Sequence, residues 1–218
     1  MSQKNQKIVL FSIVAVILIL DQILKIWIKT NMCLGEQIPL LGNWFNLFFI
    51  ENEGMAFGIS LGEKFGKLLL SLLRIVVVCF LFYYIIKQIK RAKTDTITVV
   101  IFGLIIAGAL GNIIDSAFYG LIFNESTVFA PATAFPEEGG YAPFLFGKVV
   151  DMFYLKLFLI PEWFPLWGGI YFFPAIFNIA DACVTVGLVL LLIFNKRIFE
   201  KEPASEEIEL HTHEEIVE

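Results

Sequence analysis

The chain has 218 residues, 58% of them hydrophobic and only 17% charged, and its mean hydropathy is +0.78. A water-soluble domain carries about 25% charged and about 45–50% apolar residues, so that class is excluded and a polytopic membrane protein is indicated. The net charge of −5 comes from residues 200–218, which hold eight acidic residues and one lysine. The remainder is slightly basic, which is no electrostatic footprint for nucleic acid.

About 20 mostly apolar residues span the hydrocarbon core, and four segments qualify: 8–28, 68–86, 97–118 and 173–194. The first is too long for the apolar part of a cleavable leader and lacks an A-x-A site after it, so it reads as a retained helix. Between the segments lie a loop at 29–67, a basic connection at 87–96 and a long loop at 119–172. The expected organisation is a four-helix transmembrane domain over residues 1–199 and an acidic tail over 200–218.

Basic residues set the orientation. Lys4 and Lys7 precede the first segment, Lys87, Lys90, Arg91 and Lys93 lie between the second and third, and Lys196, Arg197 and Lys201 follow the fourth. All three groups fall on one side, which is then cytoplasmic. Lys64, Lys67, Lys148 and Lys156 on the opposite side dilute this asymmetry without reversing it. Both termini are expected inside, with both long loops on the periplasmic or outer face.

The loops are too apolar to be linkers. Residues 44–50 and 149–154 are rich in β-formers and aromatics, and Trp163, Trp167, Tyr171 and Phe172 suit an interfacial belt. The expected fold is therefore a membrane all-α four-helix bundle with a small extracytoplasmic β-rich region. Residues 121–147 hold Pro131, Pro136, Pro143, Gly139 and Gly140, which argue against regular structure. Their aromatics Phe129, Phe135, Tyr141 and Phe144 argue against disorder. A surface elaboration and an active-site lid both fit.

The chemistry-bearing residues are polar groups within apolar surroundings, where each charge costs roughly 2.5–3.5 kcal/mol on insertion scales. Asp21 and Lys25 are four apart on one helical face and can pair; a structural ion pair near the outer interface is the simpler reading. Gly108 and Gly111 permit close helix approach. Asn112 and Asp115 share a face at the end of the third segment, and Asn178 and Asp181 repeat that spacing at the start of the fourth. Each aspartate taken singly also fits a helix-packing role. Asp151 lies between Val150 and Met152, and is either exposed on an edge strand or aimed at a site.

Cys33, Cys79 and Cys183 give no disulfide framework. His211 and His213 stand in the acidic tail and make only a weak metal motif. The catalytic groups that remain are carboxylates. Two that share one proton supply a general base and a general acid for water attack on an amide. A small ion or proton carrier built on the same Asp and Asn pairs is the competing reading, and a non-enzymatic assembly factor is a third. The absence of an internal repeat and the large outer loops weigh against the carrier.

Four blocks, in order, resemble lipoprotein signal peptidase (signal peptidase II): Asp21-Gln22-Ile23-Leu24-Lys25; Asn52-Glu53-Gly54-Met55-Ala56-Phe57-Gly58; Gly108-Ala109-Leu110-Gly111-Asn112-Ile113-Ile114-Asp115 with Val149-Val150-Asp151; and Phe177-Asn178-Ile179-Ala180-Asp181. The resemblance spans residues 8–195. It implies that Asp151 and Asp181 form a catalytic dyad, that Asn112, Asp115 and Asn178 support it, and that Asn52 and Gly54 line the site. Asp21 and Lys25 match a family position tied to structure and activity, and the resemblance implies no metal or organic cofactor. The implied substrate is a prolipoprotein whose cysteine carries diacylglycerol, cut just before that cysteine in the bacterial inner membrane and entering from the membrane lipid. Two features depart from the family. Ser116 stands where an arginine is usual, with Lys148 as the candidate replacement, and residues 121–147 form an insertion between Asp115 and Asp151.

Overall fold

The computed structural model describes residues 1–53, 63–92, 94–172 and 175–199. Among these residues, three helices are long and apolar enough to cross a membrane. They are α1 (Gln3–Asn31), α2 (Glu63–Lys90) and α3 (Thr96–Ile114), the last running on through a π-helical turn at Asp115–Tyr119 and a single turn, α4 (Gly120–Ile122). Helix α5 (Ile179–Ile193) is apolar but has 15 residues, a length of about 22 Å; α6 (Asn195–Phe199) follows it.

The expected fourth helix, residues 173–194, therefore begins too early. Ile176–Phe177 form a strand, and the helix starts at Ile179 because Asn178 caps it. Apolar residues ahead of the cap belong to the sheet, a distinction hydropathy does not make. The expected loop at 119–172 likewise loses its first residues to the helical run, and the loop at 29–67 loses residues at both ends to α1 and α2.

Helix α3 is the centre of the bundle. It packs most extensively against α5 and α1, then α2, and most of its apolar window is buried, whereas α1 and α2 leave most of theirs outward. Phe11, Ile19 and Ile23 on α1 and Val76 and Phe80 on α2 are exposed, as a lipid-facing surface requires. Leu10, Val14, Val78, Ile85, Ile89, Val99, Phe102 and Ile106 form the core where α1, α2 and α3 meet. Gly108 lets α5 approach closely, since a Cβ there would lie 2.2 Å from the Ala180 carbonyl oxygen.

At one end of the bundle the start of α1, the α2–α3 connection and α6 converge. Gln3 Nε2 donates to the Lys90 carbonyl at 3.2 Å, Gln6 Nε2 to the Thr94 carbonyl at 2.9 Å, and Arg197 Nε to Asp95 at 2.6 Å. The described basic residues that set the orientation therefore share one end of the molecule.

The other end carries an antiparallel sheet of four strands in the order β1 (Gln37–Leu41), β2 (Phe45–Asn52), β3 (Val149–Leu155) and β4 (Ile176–Phe177). β2 and β3 pair with Asn52 opposite Val149, Glu51 opposite Val150 and Ile50 opposite Asp151. Residues 149–152 are buried without alternation, because β3 is covered on both faces. On one side Val150 and Met152 join Ile28, Met32, Phe49, Phe123 and Ala132 in a second core.

The insert at 121–147 belongs to that core. Its backbone is tied to its surroundings by Ala132 N–H to the Lys29 carbonyl (3.0 Å), Leu34 N–H to the Thr127 carbonyl (2.8 Å) and Gly147 N–H to the Ser116 carbonyl (2.8 Å). A Cβ on Gly147 would sit 2.2 Å from the Asp115 carbonyl oxygen, so that closure demands glycine. Lys29, wholly buried, pairs with Glu51 and donates to Ser126 Oγ at 2.8 Å, and Ser126 Oγ donates to Glu51 at 2.7 Å. The insert is a packed wall rather than a loose flap.

Candidate active site

The site forms where α1, α3, β3 and the start of α5 meet, and its geometry follows from the cap of α5. The first N–H groups of a helix have no partner within it. Asn178 Oδ1 accepts the Asp181 N–H at 2.8 Å, and the Asp181 carboxylate accepts the Asn178 N–H at 3.4 Å, which completes a capping box. Asp21 accepts the Ala180 N–H at 3.0 Å. The two residues spaced as Asn-x-x-Asp thus act as N-cap and third helical residue, and Asp181 stands at the positive end of the helix dipole.

Asn178 has its amide left to give. Its Nδ2 donates to Asp151 Oδ1 at 2.7 Å, and lies 3.2 Å from Asn112 Oδ1 and 3.3 Å from the Val150 carbonyl. Asn112 Nδ2 donates to Asp181 Oδ1 at 2.8 Å. Asn52 Nδ2 reaches the other oxygen of Asp151 at 3.2 Å. Asp151 and Asp181 are therefore held by one asparagine network, with Asp151 1% exposed and Asp181 partly open. The alternative of an exposed edge-strand position for Asp151 fails, since the residue is buried.

Burial, and then the charge of Asp181, pushes the Asp151 carboxyl up to about 7, against the Asn52 and Asn178 donors that pull it down. Two such groups bind protons as a unit. A carboxyl that keeps its proton near neutral pH beside a second carboxyl is the arrangement acid–base catalysis requires.

A second, wholly buried charge cluster underlies the pair. Lys25 Nζ lies 2.9 Å from Asp21 and 2.8 Å from Asp115 and donates to Asn112 Oδ1 at 2.9 Å. Asp115 also accepts from Gln22 Nε2 at 2.9 Å and from the Val150 N–H at 3.2 Å. Lys25 is thus the cation for Asp115 where the usual arginine is replaced by Ser116. Lys148 does not fill that place; it faces Glu51, Glu53 and Glu125 instead. Ser116 Oγ returns to the Asn112 carbonyl at 3.0 Å. Gly111 leaves room for Asp21, whose Oδ2 would lie 2.7 Å from a Cβ at that position.

Of the expected site residues, Asp151, Asp181, Asn52, Asn112, Asp115, Asn178, Asp21 and Lys25 come together, and Gly108 sets the helix contact behind them. Gly54 and the tail histidines lie outside the described residues. Three participants were missed. Gln22 bridges Asp115 and the Gly111 carbonyl, Tyr119 O–H donates to Gln22 at 3.1 Å, and Arg74 sits on the inward face of α2. Arg74 is three residues from buried Ser71 and four from buried Val78. It makes no ion pair among the described residues, and its charge acts on Asp181 first, then on Asp151 and Asp115. A charged residue within an apolar span is a signal by itself. The spacing G-x-S-x-G also occurs, at residues 58–62. The chain's two histidines both lie in the tail, so the histidine base that such a serine uses is missing from residues 1–199.

The family model for signal peptidase (SPase) II matches residues 13–196. The lipoprotein signal peptidase of Porphyromonas gingivalis is 45% identical over 197 residues, covering 88% of this chain and 85% of that protein. The lipoprotein signal peptidase of Amoebophilus asiaticus is 37% identical over 199 residues, covering 88% and 79%. A solved bacterial membrane enzyme superposes with a TM-score of 0.58 at 24% identity, covering 90% of this chain and 93% of that one, which shows the shared fold. The chain belongs to the signal peptidase II family of proteases.

Proposed function

We propose that this protein is an intramembrane aspartic endopeptidase that removes signal peptides from prolipoproteins, cutting just before a cysteine that carries diacylglycerol, with Asp151 and Asp181 as the catalytic pair. The observation that carries the reading is the hydrogen-bonded link Asp151–Asn178–Asn112–Asp181, in which two touching asparagines join the two carboxyl groups. In this mechanism the ionised carboxylate takes a proton from water as the water oxygen bonds to the scissile carbonyl carbon. The protonated partner gives its proton to the carbonyl oxygen. The carbon–nitrogen bond then breaks as the carboxyl that took the water proton passes it to the cysteine nitrogen, and a hydroxyl of the tetrahedral carbon returns its proton to the other carboxyl. Asn52, Asn112 and Asn178 fix the carboxyl orientations, Gly54 lines the site, and Asp21, Lys25 and Asp115 brace the helices from behind.

Residues 1–199 make up the transmembrane peptidase domain in this reading. α5 with α6 completes a fourth crossing, both termini and the tail at 200–218 are cytoplasmic, and the site faces the periplasm. The convergence of the basic ends supports this orientation. Prolipoprotein substrates and membrane lipids are the partners. Single cysteines placed at Gly139 and Lys90 test the topology: an impermeant reagent added outside labels the first and spares the second, and the reverse pattern rejects it. Purified protein given matched prolipoproteins with and without the diacylglyceryl group tests the substrate class. The lipidated form alone is expected to be cut; equal cutting of both contradicts the reading.

A further inference from the structure

A cavity of about 360 Å³ opens at the end of the β2–β3 ladder that carries Asp151. Asn52 pairs with Val149 in that ladder, and one step beyond, Lys148 Nζ lies 3.5 Å from Glu53. The walls come from three separate stretches: Glu53 after β2, Lys67 on α2, and Glu125, Tyr141, Phe146 and Lys148 of the insert and its exit. Its polar groups are sorted by depth. Glu125 and Glu53 stand at the rim, with side chains 68% and 47% exposed, while Lys148 is 20% exposed. Lys67 is half-buried and forms no ion pair among the described residues, its strongest opposing charge being Glu53. The Tyr141 oxygen accepts the Lys148 N–H at 2.6 Å, which leaves its own O–H to donate. The floor thus presents hydrogen-bond donors and an unpaired cation.

Asp151 lies three steps along the chain from Lys148, a distance of about 10 Å at about 3.3 Å per strand residue. An extended chain cut at Asp151 covers that distance with about three residues. We propose that this cavity receives the side chain of the second or third residue beyond the cleaved bond, just past the lipidated cysteine, and favours a carboxylate there. This rests on the peptidase reading above. The mature part of the lipoprotein is then read by the insert, and the acyl chains and signal helix stay in the bilayer.

The test uses the full-length enzyme in detergent with synthetic diacylglyceryl lipopeptides carrying Asp, Asn or Lys at the third position beyond the bond. The parent is expected to cut the Asp lipopeptide with a KM about tenfold below that of the Lys lipopeptide, as loss of a charged hydrogen bond predicts. Lys67→Gln narrows the gap and Lys67→Glu reverses it. Glu125→Gln, which frees Lys148 at the rim, lowers the KM for Asp further. The same order and ratio in the parent and in Lys67→Glu overturn the proposal while leaving the peptidase reading intact. Failure of the parent to cut any lipidated peptide overturns both.

Discussion

Asn178 donates its side-chain amide to Asp151 at 2.7 Å while its side-chain oxygen caps the helix that carries Asp181 at 2.8 Å. One residue therefore sets the start of α5 and the orientation of both carboxyl groups. The two roles separate by substitution. Asn178→Ala removes the cap and the donor, and is expected to cost about 1–3 kcal/mol of stability together with activity. Asn178→Ser keeps a capping oxygen and loses the reach to Asp151. It should melt near the parent and turn over at least about tenfold more slowly. Equal activity in Asn178→Ser and the parent would show that the link is only a helix cap.

The pH dependence follows from Asp151. Its carboxyl lies at about 7 in the folded protein and at about 3.9 in an unfolded chain. The folded state holds the proton more tightly, so this group contributes stability that is complete below about pH 4 and is lost as pH rises through about 7. Turnover should fall across the same upper limit as the pair loses its last proton. Asp151→Asn mimics the protonated acid, so its melting temperature should vary less between pH 5 and pH 8 than the parent's. Thermal melts across that range in one detergent measure this directly.

Lys25 balances two buried carboxylates, at 2.9 and 2.8 Å. Removing one partner of a buried ion pair costs about 3–5 kcal/mol because the other charge stays uncompensated. Lys25→Met should therefore accumulate poorly in the membrane. Lys25→Met combined with Asp21→Asn and Asp115→Asn should recover part of the folded protein without recovering activity. Recovery can be followed as the monodisperse fraction after extraction.

Gly108 lies against the helix that carries Asp181. A Cβ there would come 2.2 Å from the Ala180 carbonyl oxygen and 2.7 Å from Val184, so Gly108→Ala forces α5 outward. Because Asp181 is one residue past Ala180, the expected result is loss of cleavage well beyond the loss of folded protein. Gly139→Ala, in the insert with open space around it, is a weaker perturbation; its positive φ of 88° sets a backbone cost of about 1–2 kcal/mol. Comparing folded yield and turnover for the two variants separates a displaced site from general damage.

Trimming residues 122–146 removes Phe123, Ala132 and Ser126 from the core and leaves buried Lys29 and Glu51 without their third partner. The trimmed protein should lose thermal stability as well as activity, which distinguishes a wall from a lid. A trimmed protein as stable as the parent contradicts the wall description.

The helices and the chemistry of the site were legible for different reasons. Long apolar runs mark α1, α2 and α3 because lipid tolerates little else, and Asp21, Asn112 and Asp115 stand out because a polar residue there needs a partner. The start of α5 was not legible from hydropathy. Phe177 and Ile179 are equally apolar, and only the cap at Asn178 tells strand from helix. Lys148 was the candidate partner of Asp115, whereas the fold brings Lys25 across from α1. Nothing in the pattern of residues 115–119 marks the π-helical turn, since every residue there suits an ordinary helix, although such turns gather at functional sites. Arg74 carried a readable signal, a charge inside an apolar run.

The central claim is that Asp151 and Asp181 work as one catalytic unit. Its most direct measurement is the single-turnover cleavage rate of a diacylglyceryl prolipoprotein by the parent, Asp151→Asn, Asp181→Asn and the double variant, each shown to be folded. Groups that act as a unit give strongly non-additive losses. Each single variant is expected to fall to background, with the double variant no slower. Substantial cleavage by either single variant, or losses that add in the double variant, contradicts the account.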